Sequence, residues 1–264
     1  MAKIGFIGMG NMGYAMLKGC LDSFGKENIV FTDVNKERCE QVGEETQVSF
    51  VNSNLECAMT SDYIIMAVKP QYYKVVIDEI KEGIKPEQIL ISIAPGKTIA
   101  DLKEAFGRET RIVRAMPNTP AMVLEGMSGV CMSDDEYSEE EKATVEQFFN
   151  AFGKMAFVDE RLLSAVTAAS GSSPAFVYMF IEALADGVVR FGLPRDKAYE
   201  FAAQAVLGSA KMVLETKEHP GRLKDNVCSP GGTTIAGVAV LEEKGFRSAV
   251  IEAAKAVFDK CDNI

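Results

Sequence analysis

Two glycine-rich turns, some two hundred residues apart in a chain of 264, carry the groups best suited to chemistry. The later one reads "KDNVCSPGGTTIAG", Lys224 to Gly237, and runs directly into an apolar helical pattern at Ile235, Val238 and Leu241. A Pro-Gly-Gly turn lets backbone approach a ligand closely, and a helix starting just after it aims unpaired N–H groups at whatever lies in the turn. Gly231, Gly232 and Thr233 are therefore expected to form a nest that suits a carboxylate. Thr234 adds a hydroxyl able to bond a substrate heteroatom, and Asn226 offers an amide from the approach loop. On these residues alone, a plain glycine turn with a Ser/Thr cap fits better. Cys228 reads as a small spacer, with no cationic neighbour to make it a thiolate.

The earlier turn lies in "KIGFIGMGNMGYAMLKGCL". A short β-type run, Lys3 to Ile7, is followed by Gly8-x-Gly10-x-x-Gly13 and then by apolar residues at helical spacing, Met12, Met16, Leu17, Cys20 and Leu21. In such a run the glycines serve a tight turn, room for a pyrophosphate, and close packing of helix on strand. A second strand, "NIVFTD", ends in Asp33 twenty residues beyond Gly13, the spacing at which a carboxylate meets an adenine ribose. Strand, turn, helix and acid together predict a dinucleotide site. Asp33 also suits the N-cap of a helix at "NKERCEQV", and the two roles are compatible. A carboxylate here favours NADH by repelling a 2′-phosphate, whereas Lys36 and Arg38 soften that repulsion, so NADH and NADPH both stay open.

The elements that must position these turns follow an α/β rhythm. "DYIIMAVKP" (Asp62 to Pro70), "QILISIAPG" (Gln88 to Gly96) and "RIVRAMPNTP" (Arg111 to Pro120) are near-continuous apolar runs ending in Pro or Gly, the pattern of buried parallel strands. Between them, "YKVVIDEIKEGI" and "IADLKEAF" read as crossover helices, and "AVKP", "IAPG" and "MPNTP" become the loops facing cofactor and substrate. "MSGVCMS" and "KMAFVD" extend the sheet. From Glu160 the strand signal stops, and helices are expected near 160–170, 174–191, 195–216, 232–244 and 246–262. The expected fold is α/β: a dinucleotide-binding, doubly wound, mainly parallel Rossmann domain over 1–159 and an all-helical domain over 160–264. "EFAAQAVLGSAKMVLE" is apolar over most of its circumference, which points to packing between subunits, with a central helix of a monomeric bundle as the alternative.

Composition narrows the partners. The formal charge is −10, with 28 Lys and Arg against 38 Asp and Glu, which argues against nucleic acid and anionic membrane surfaces. No apolar run approaches a membrane span, and the opening strand is too short for a signal-peptide core. Six cysteines without a C-x-x-C pair are expected to be free thiols in a reducing cytoplasm. His219 is the single histidine, so histidine triads and most zinc sites would depend on it alone; it reads as an exposed residue in "ETKEHPG", and no metal is expected.

The run "HPGRLKDNVCSPGGTTIAGVAVLE" resembles the signature of the pyrroline-5-carboxylate reductase family, and "FIGMGNMG", "AVKP", "NTP", "ADGVVRFGLPR" and "AAQAVLGSAKMV" carry the likeness along the chain. The resemblance implies an NADPH- or NADH-dependent oxidoreductase of proline biosynthesis. It also implies a helical domain that forms a homodimer by interlocking helices, and dimers assembled into a larger ring such as a decamer. By position it assigns the cofactor to Ile7, Gly8, Met9, Gly10, Asn11, Met12, Asp33, Asn54, Ala67, Val68, Lys69, Pro70, Ile93, Ala94, Pro95 and Asn226. Thr233 and Thr234 then contact a small-molecule substrate beside the Gly231–Gly232 nest, with Thr234 as the catalytic group. The chain departs from the family at Ser172-Ser173-Pro174-Ala175-Phe176, commonly Ser-Gly-Pro-Ala-Tyr, and at Lys217, where an acid can occur.

The reaction so implied delivers hydride to a C=N bond, with reductant and imino acid meeting in a cleft. A basic imine arrives protonated, so no strong protein acid is needed. A 3-hydroxyacid dehydrogenase shares the two-domain plan but relies on a lysine in the interdomain helix, and there is none between Leu162 and Met179. A reductase of other cyclic imines shares the architecture. A nucleotide-sensing module without turnover would leave "SPGGTT" idle.

Overall fold

The computed structural model describes residues 2–261. The central strands of its sheet are runs with no polar alternation, and such strands must be covered on both faces. β1 (Ile4–Ile7), β2 (Ile29–Thr32), β3 (Ser49–Phe50), β4 (Tyr63–Met66), β5 (Ile89–Ser92), β6 (Arg111–Met116), β7 (Gly126–Met132) and β8 (Gly153–Phe157) form one sheet in the order β3-β2-β1-β4-β5-β6-β7-β8. All pairs are parallel except β6 with β7. The chain moves outward from β1 to β2 and β3, then returns to β4 on the other side of β1, so the strand order reverses at β1, where such sheets bind ligands. In the ladder Ile7 lies opposite both Thr32 and Met66, and Met66 lies opposite Ser92, so the loops after four strands leave the sheet at one level.

Period-two alternation sends each strand's side chains to two separate cores. Ile4, Phe6, Tyr63, Ile65, Ile89, Ile91 and Val113 pack against α1 (Asn11–Phe24), α2 (Lys36–Thr46) and α6 (Glu139–Asn150), where Phe148 and Phe152 meet edge to face at 5.4 Å. Ile7, Ile64, Met66, Leu90 and Ile112 pack against α3 (Asn54–Met59), α4 (Tyr73–Ile80) and α5 (Ile99–Phe106). Capping boxes Thr98/Asp101 and Ser138/Glu141 start α5 and α6. α2 is capped by Asn35, which accepts from the Arg38 amide, so Asp33 is left for another role.

β3, α3 and α6 are elements the sequence pattern did not disclose. β3 is two residues long, too short for periodicity, and α6 lies in the acidic run "EEEKATVEQFFN", although its buried Val145, Phe148 and Phe149 stand at the i, i+3, i+4 spacing of one helix face. The expected 160–170 helix is composite: a 3₁₀ turn Glu160–Leu162, α7 (Leu163–Val166) and a π-turn Thr167–Gly171. The stretch Glu160–Val189 has the length and composition to cross a membrane, contrary to the expectation that nothing in the chain does. Its apolar residues are interleaved with Ser, Thr and Gly, so no unbroken run marks it.

The chain forms two compact units, one running to Ser172 and resuming at Val257, the other Ser173–Ala256. The second contains α8 (Ser173–Val189), α9 (Arg195–Thr216), α10 (Pro220–Val227), α11 (Thr233–Glu243) and most of α12 (Phe246–Cys261). Only Ala185, Ala198 and Ala202 are buried in it, whereas Met179, Phe201 and Leu214 are 67%, 65% and 75% exposed. A helical unit with so few buried side chains lacks the hydrophobic burial needed to stand alone and calls for a covering surface.

Candidate functional site

The first glycine turn is shaped by contacts that exclude side chains. Gly8 has φ +104°, and a Cβ there would lie 2.8 Å from the Ala67 carbonyl oxygen. Its N–H donates to the Thr32 carbonyl at 2.9 Å. A Cβ on Gly13 would stand 2.1 Å from the Gly8 oxygen, which is the close helix-to-strand packing expected of the third glycine. Gly10 opens onto empty space and is the N-cap of α1 with no side-chain cap, so the first amides of α1 point outward unpaired. Ile7 and Met9 are buried, Asn11 is exposed, and Met12 is half-buried against the α1 core.

Asp33 grips this loop from the neighbouring strand. Its Oδ2 accepts from the Met9 amide at 2.6 Å and its Oδ1 from the Asn35 amide at 2.9 Å. Arg38 Nε donates to the Met9 carbonyl at 3.0 Å, and its guanidinium lies 4.6 Å from the centre of the Tyr14 ring. A hydrogen bond to Glu45 raises the Tyr14 pKa, helped by burial, so that phenol stays neutral. One anion and one cation thus bracket Met9, while Lys36 is exposed at the start of α2.

The Ala67 amide donates to the Ile7 carbonyl at 2.9 Å, which sets the second loop beside the first. Val68 is half-buried, Lys69 is exposed, and Pro70 opens a 3₁₀ turn leading into α4. After β5, Ile93 is half-buried, Ala94 is buried, and Pro95 is exposed. Ala94 and Pro95 line a cavity of about 540 Å³ together with Arg114, Met116, Glu160 and Thr167. Glu160 Oε1 accepts from Arg114 Nη1 at 2.8 Å and from the Ile99 amide at 2.7 Å, so the charges on that wall are paired. Asn54 is the first residue of α3, its amide donating to Glu79 Oε2 at 2.6 Å.

Two residues that were not among the expected site residues hold these loops. Asn118, buried in the "MPNTP" loop, accepts from the Met127 amide at 2.8 Å and donates to the Ser170 carbonyl at 3.0 Å, tying the end of β6 to the π-turn. Tyr73 lies behind the second and third loops. For Asn118 the available signal was its place in the "MPNTP" loop; for Tyr73 it was a hydroxyl on the apolar face of α4.

The second turn forms as its residues predict. The Gly232 amide donates to the Ser229 carbonyl at 3.0 Å across Pro230 and Gly231, whose φ is +69°, the pattern of a type II turn. A Cβ on Gly232 would come 2.4 Å from Ser229 Oγ. Gly232 is the N-cap of α11, with no side-chain cap and no acid in the first turn, and Thr233 and Thr234 are its exposed first residues. Asn226 is on α10, not in an approach loop: His219 caps that helix by accepting from the Gly221 amide at 3.1 Å, and Pro220 follows at the first helical position. The six cysteines are free thiols; burial pushes Cys57 up to about 12 and Cys131 up to about 11, and raises Cys20 as well, which unsuits them as nucleophiles.

Residues 160–264 match the family model for pyrroline-5-carboxylate reductase dimerisation, and residues 3–96 match that for NADP oxidoreductase, coenzyme F420-dependent. The dimerisation match coincides with the helices whose apolar faces are uncovered in a single chain. Pyrroline-5-carboxylate reductase of Escherichia coli K12 is 46% identical over 265 residues, covering 99% of this chain and 98% of the relative. That of Methanosarcina acetivorans is 43% identical over 253 residues, covering 95% and 93%. The crystal structure of the Plasmodium falciparum pyrroline carboxylate reductase with NADP bound superimposes with a TM-score of 0.88 at 35% identity, over 98% of this chain and 97% of that one. The Coxiella burnetii pyrroline-5-carboxylate reductase gives a TM-score of 0.92 at 32% identity, over 99% and 98%. By identity along nearly its whole length and by fold, the chain belongs to the pyrroline-5-carboxylate reductase family.

Proposed function

We propose that the protein reduces L-1-pyrroline-5-carboxylate to L-proline with NADH or NADPH, the last step of proline biosynthesis. The observation that carries this reading is the uncapped N-terminus of α11, set behind a type II turn and bearing two exposed threonine hydroxyls, in a chain that also has a dinucleotide cradle. The cradle suits the coenzyme: Gly10 leaves open space where any other residue would place a Cβ, and the amides at the start of α1 suit a pyrophosphate. Residues Ile7 to Met12, Asp33, Asn54, Ala67 to Pro70, Ile93 to Pro95 and Asn226 would hold it. When bound, the reduced nicotinamide supplies the hydride.

The chain's own residues bind and orient. The free amides of Thr233 and its neighbours hold the substrate carboxylate at the positive end of α11. Thr234 Oγ1 accepts from the protonated ring nitrogen and keeps the proton at that atom while the adjacent carbon is reduced. No protein acid is required, in keeping with a single histidine that serves as a helix cap. Positioning is then the main catalytic contribution. The reading divides the chain functionally at residue 159, places the dimer in the helical part with a ring of dimers such as a decamer beyond it, and sets the protein in the cytoplasm without nucleic-acid or membrane partners.

One assay tests it: oxidation of NADH and NADPH with pyrroline-5-carboxylate, with a cyclic imine lacking the carboxylate, and reduction of NAD with 3-hydroxyisobutyrate. Turnover of the first with little or none of the others is expected. Equal turnover of the imine without a carboxylate would remove the helix-end role.

A further inference from the structure

We infer that Tyr73 is a positioning residue for the coenzyme, its phenol fastening together the two strand ends from which the loops Ala67–Pro70 and Ile93–Pro95 emerge. The inference rests on the reading of those loops as coenzyme-binding. Tyr73 is the first residue of α4 and is 1% exposed. Its hydroxyl donates to the Met66 carbonyl at 2.9 Å and shares a hydrogen bond with Ser92 Oγ at 3.0 Å. Met66 and Ser92 are the last residues of β4 and β5 and lie opposite each other in the ladder. The chain therefore leaves β4 at Met66, runs through Ala67 to Tyr72, and is pinned back to its point of departure by Tyr73.

The same hydroxyl meets the second strand end through Ser92, the residue before Ile93. Burial pushes its pKa up to about 12, while the Ser92 hydroxyl pulls the other way. Packing alone does not require this group. The ring lies among Ile77, Leu90 and Leu102, where a phenylalanine would bury the same apolar surface. A hydroxyl in that setting is costly unless bonded, and here it is bonded to both strands. Its effect is to fix the separation and level of the two loops, which is what a rigid ligand spanning both would sense.

The test is Tyr73→Phe in the full-length oligomer, with Ser92→Ala as a second variant, measuring the coenzyme Kd by nucleotide fluorescence, KM for each substrate, kcat and Tm. The expected result is a coenzyme Kd and KM raised about three- to thirtyfold in Tyr73→Phe, the range of one lost buried hydrogen bond or two. The KM for pyrroline-5-carboxylate at saturating coenzyme should stay within about twofold, since Tyr73 is tied only to the coenzyme loops. Ser92→Ala should shift the same constants less, and the double variant by less than the product of the two. Wild-type coenzyme constants in Tyr73→Phe, with or without a fall in Tm, would overturn the inference alone. Wild-type protein binding neither NADH nor NADPH would overturn the reading of the loops along with it.

Discussion

The Met9 amide donates to Asp33 Oδ2 at 2.6 Å, so the carboxylate after β2 is locked to the glycine loop after β1. With Asn35 bonded to the other oxygen, both carboxylate oxygens are held, and each keeps a lone pair for a ribose hydroxyl. A fixed negative charge in that place opposes a 2′-phosphate, and Arg38, anchored on the Met9 carbonyl, only partly offsets it. The wild-type protein should favour NADH in kcat/KM. Asp33→Ser should move the NADPH/NADH ratio of kcat/KM toward NADPH on the order of ten- to a hundredfold. An unchanged ratio would mean that Asp33 serves only to brace the loop.

Thr234 is the second residue of α11, and its hydroxyl is exposed in the single chain. Thr234→Val keeps the shape and removes the oriented polar group. Steady-state kinetics should show kcat/KM for pyrroline-5-carboxylate lowered on the order of ten- to a thousandfold, with coenzyme affinity preserved. Thr233→Val, which leaves the first amide in place, should cost less. Wild-type kinetics in Thr234→Val would discard its assignment.

The parts of the fold legible in the sequence were those whose physics is local. Runs such as "IGFI" and "YIIM" show no polar alternation because both faces are covered, and the bounds of α9 follow from Pro194 before it and the loss of periodicity after Thr216. The Gly8 and Gly231 turns were legible because a positive φ or a close backbone neighbour leaves no other residue type. What was not legible depends on distant partners. Asn35 and Asp33 both suit an N-cap by type, and only the Met9 amide, 24 positions away, decides which of them caps α2. α10 was missed because its exposed, charged run carries no apolar stripe, although the cap by His219 and Pro220 at the first helical position marked its start. Tyr73 and Asn118 look like ordinary members of an apolar helix and a proline-rich loop until the strand ends they hold are placed next to them.

Lys217 ends α9 in the left-handed region with φ +56°, its amide donating to the Val213 carbonyl at 3.1 Å. That position favours glycine, since a Cβ there crowds the backbone. Lys217→Gly should stabilise the protein by about 0.5–1 kcal/mol, the relieved strain being partly offset by the greater freedom of glycine in the unfolded chain. Thermal or denaturant unfolding at fixed protein concentration checks it, and a lower Tm would show that the lysine side chain has a partner in the oligomer.

Acid should weaken the sheet-bearing unit through three carboxylates that tie its helices down. Burial works to raise the pKa of Asp135, but Lys103 at 2.6 Å and the Ser133 hydroxyl outweigh it, leaving it below the ordinary value. Glu141 is lowered in the same way: burial opposes, while the Ser138 amide and Arg111 prevail. Asp101 is lowered by its bonds to Thr98 in the α5 capping box. With each folded pKa depressed, the unfolded chain binds more protons, so this stability is complete above the ordinary carboxylate range and is lost as pH falls through the folded values, from about pH 5 downward. Tm measured from about pH 7 to pH 3.5 should therefore drop on the acid side. Asp135→Asn and Glu141→Gln should each cost about 1 kcal/mol near neutrality, and combining them should make the acid limb shallower, because two of the three groups whose protonation drives it are gone. A double variant with the wild-type slope would place the acid sensitivity in other groups.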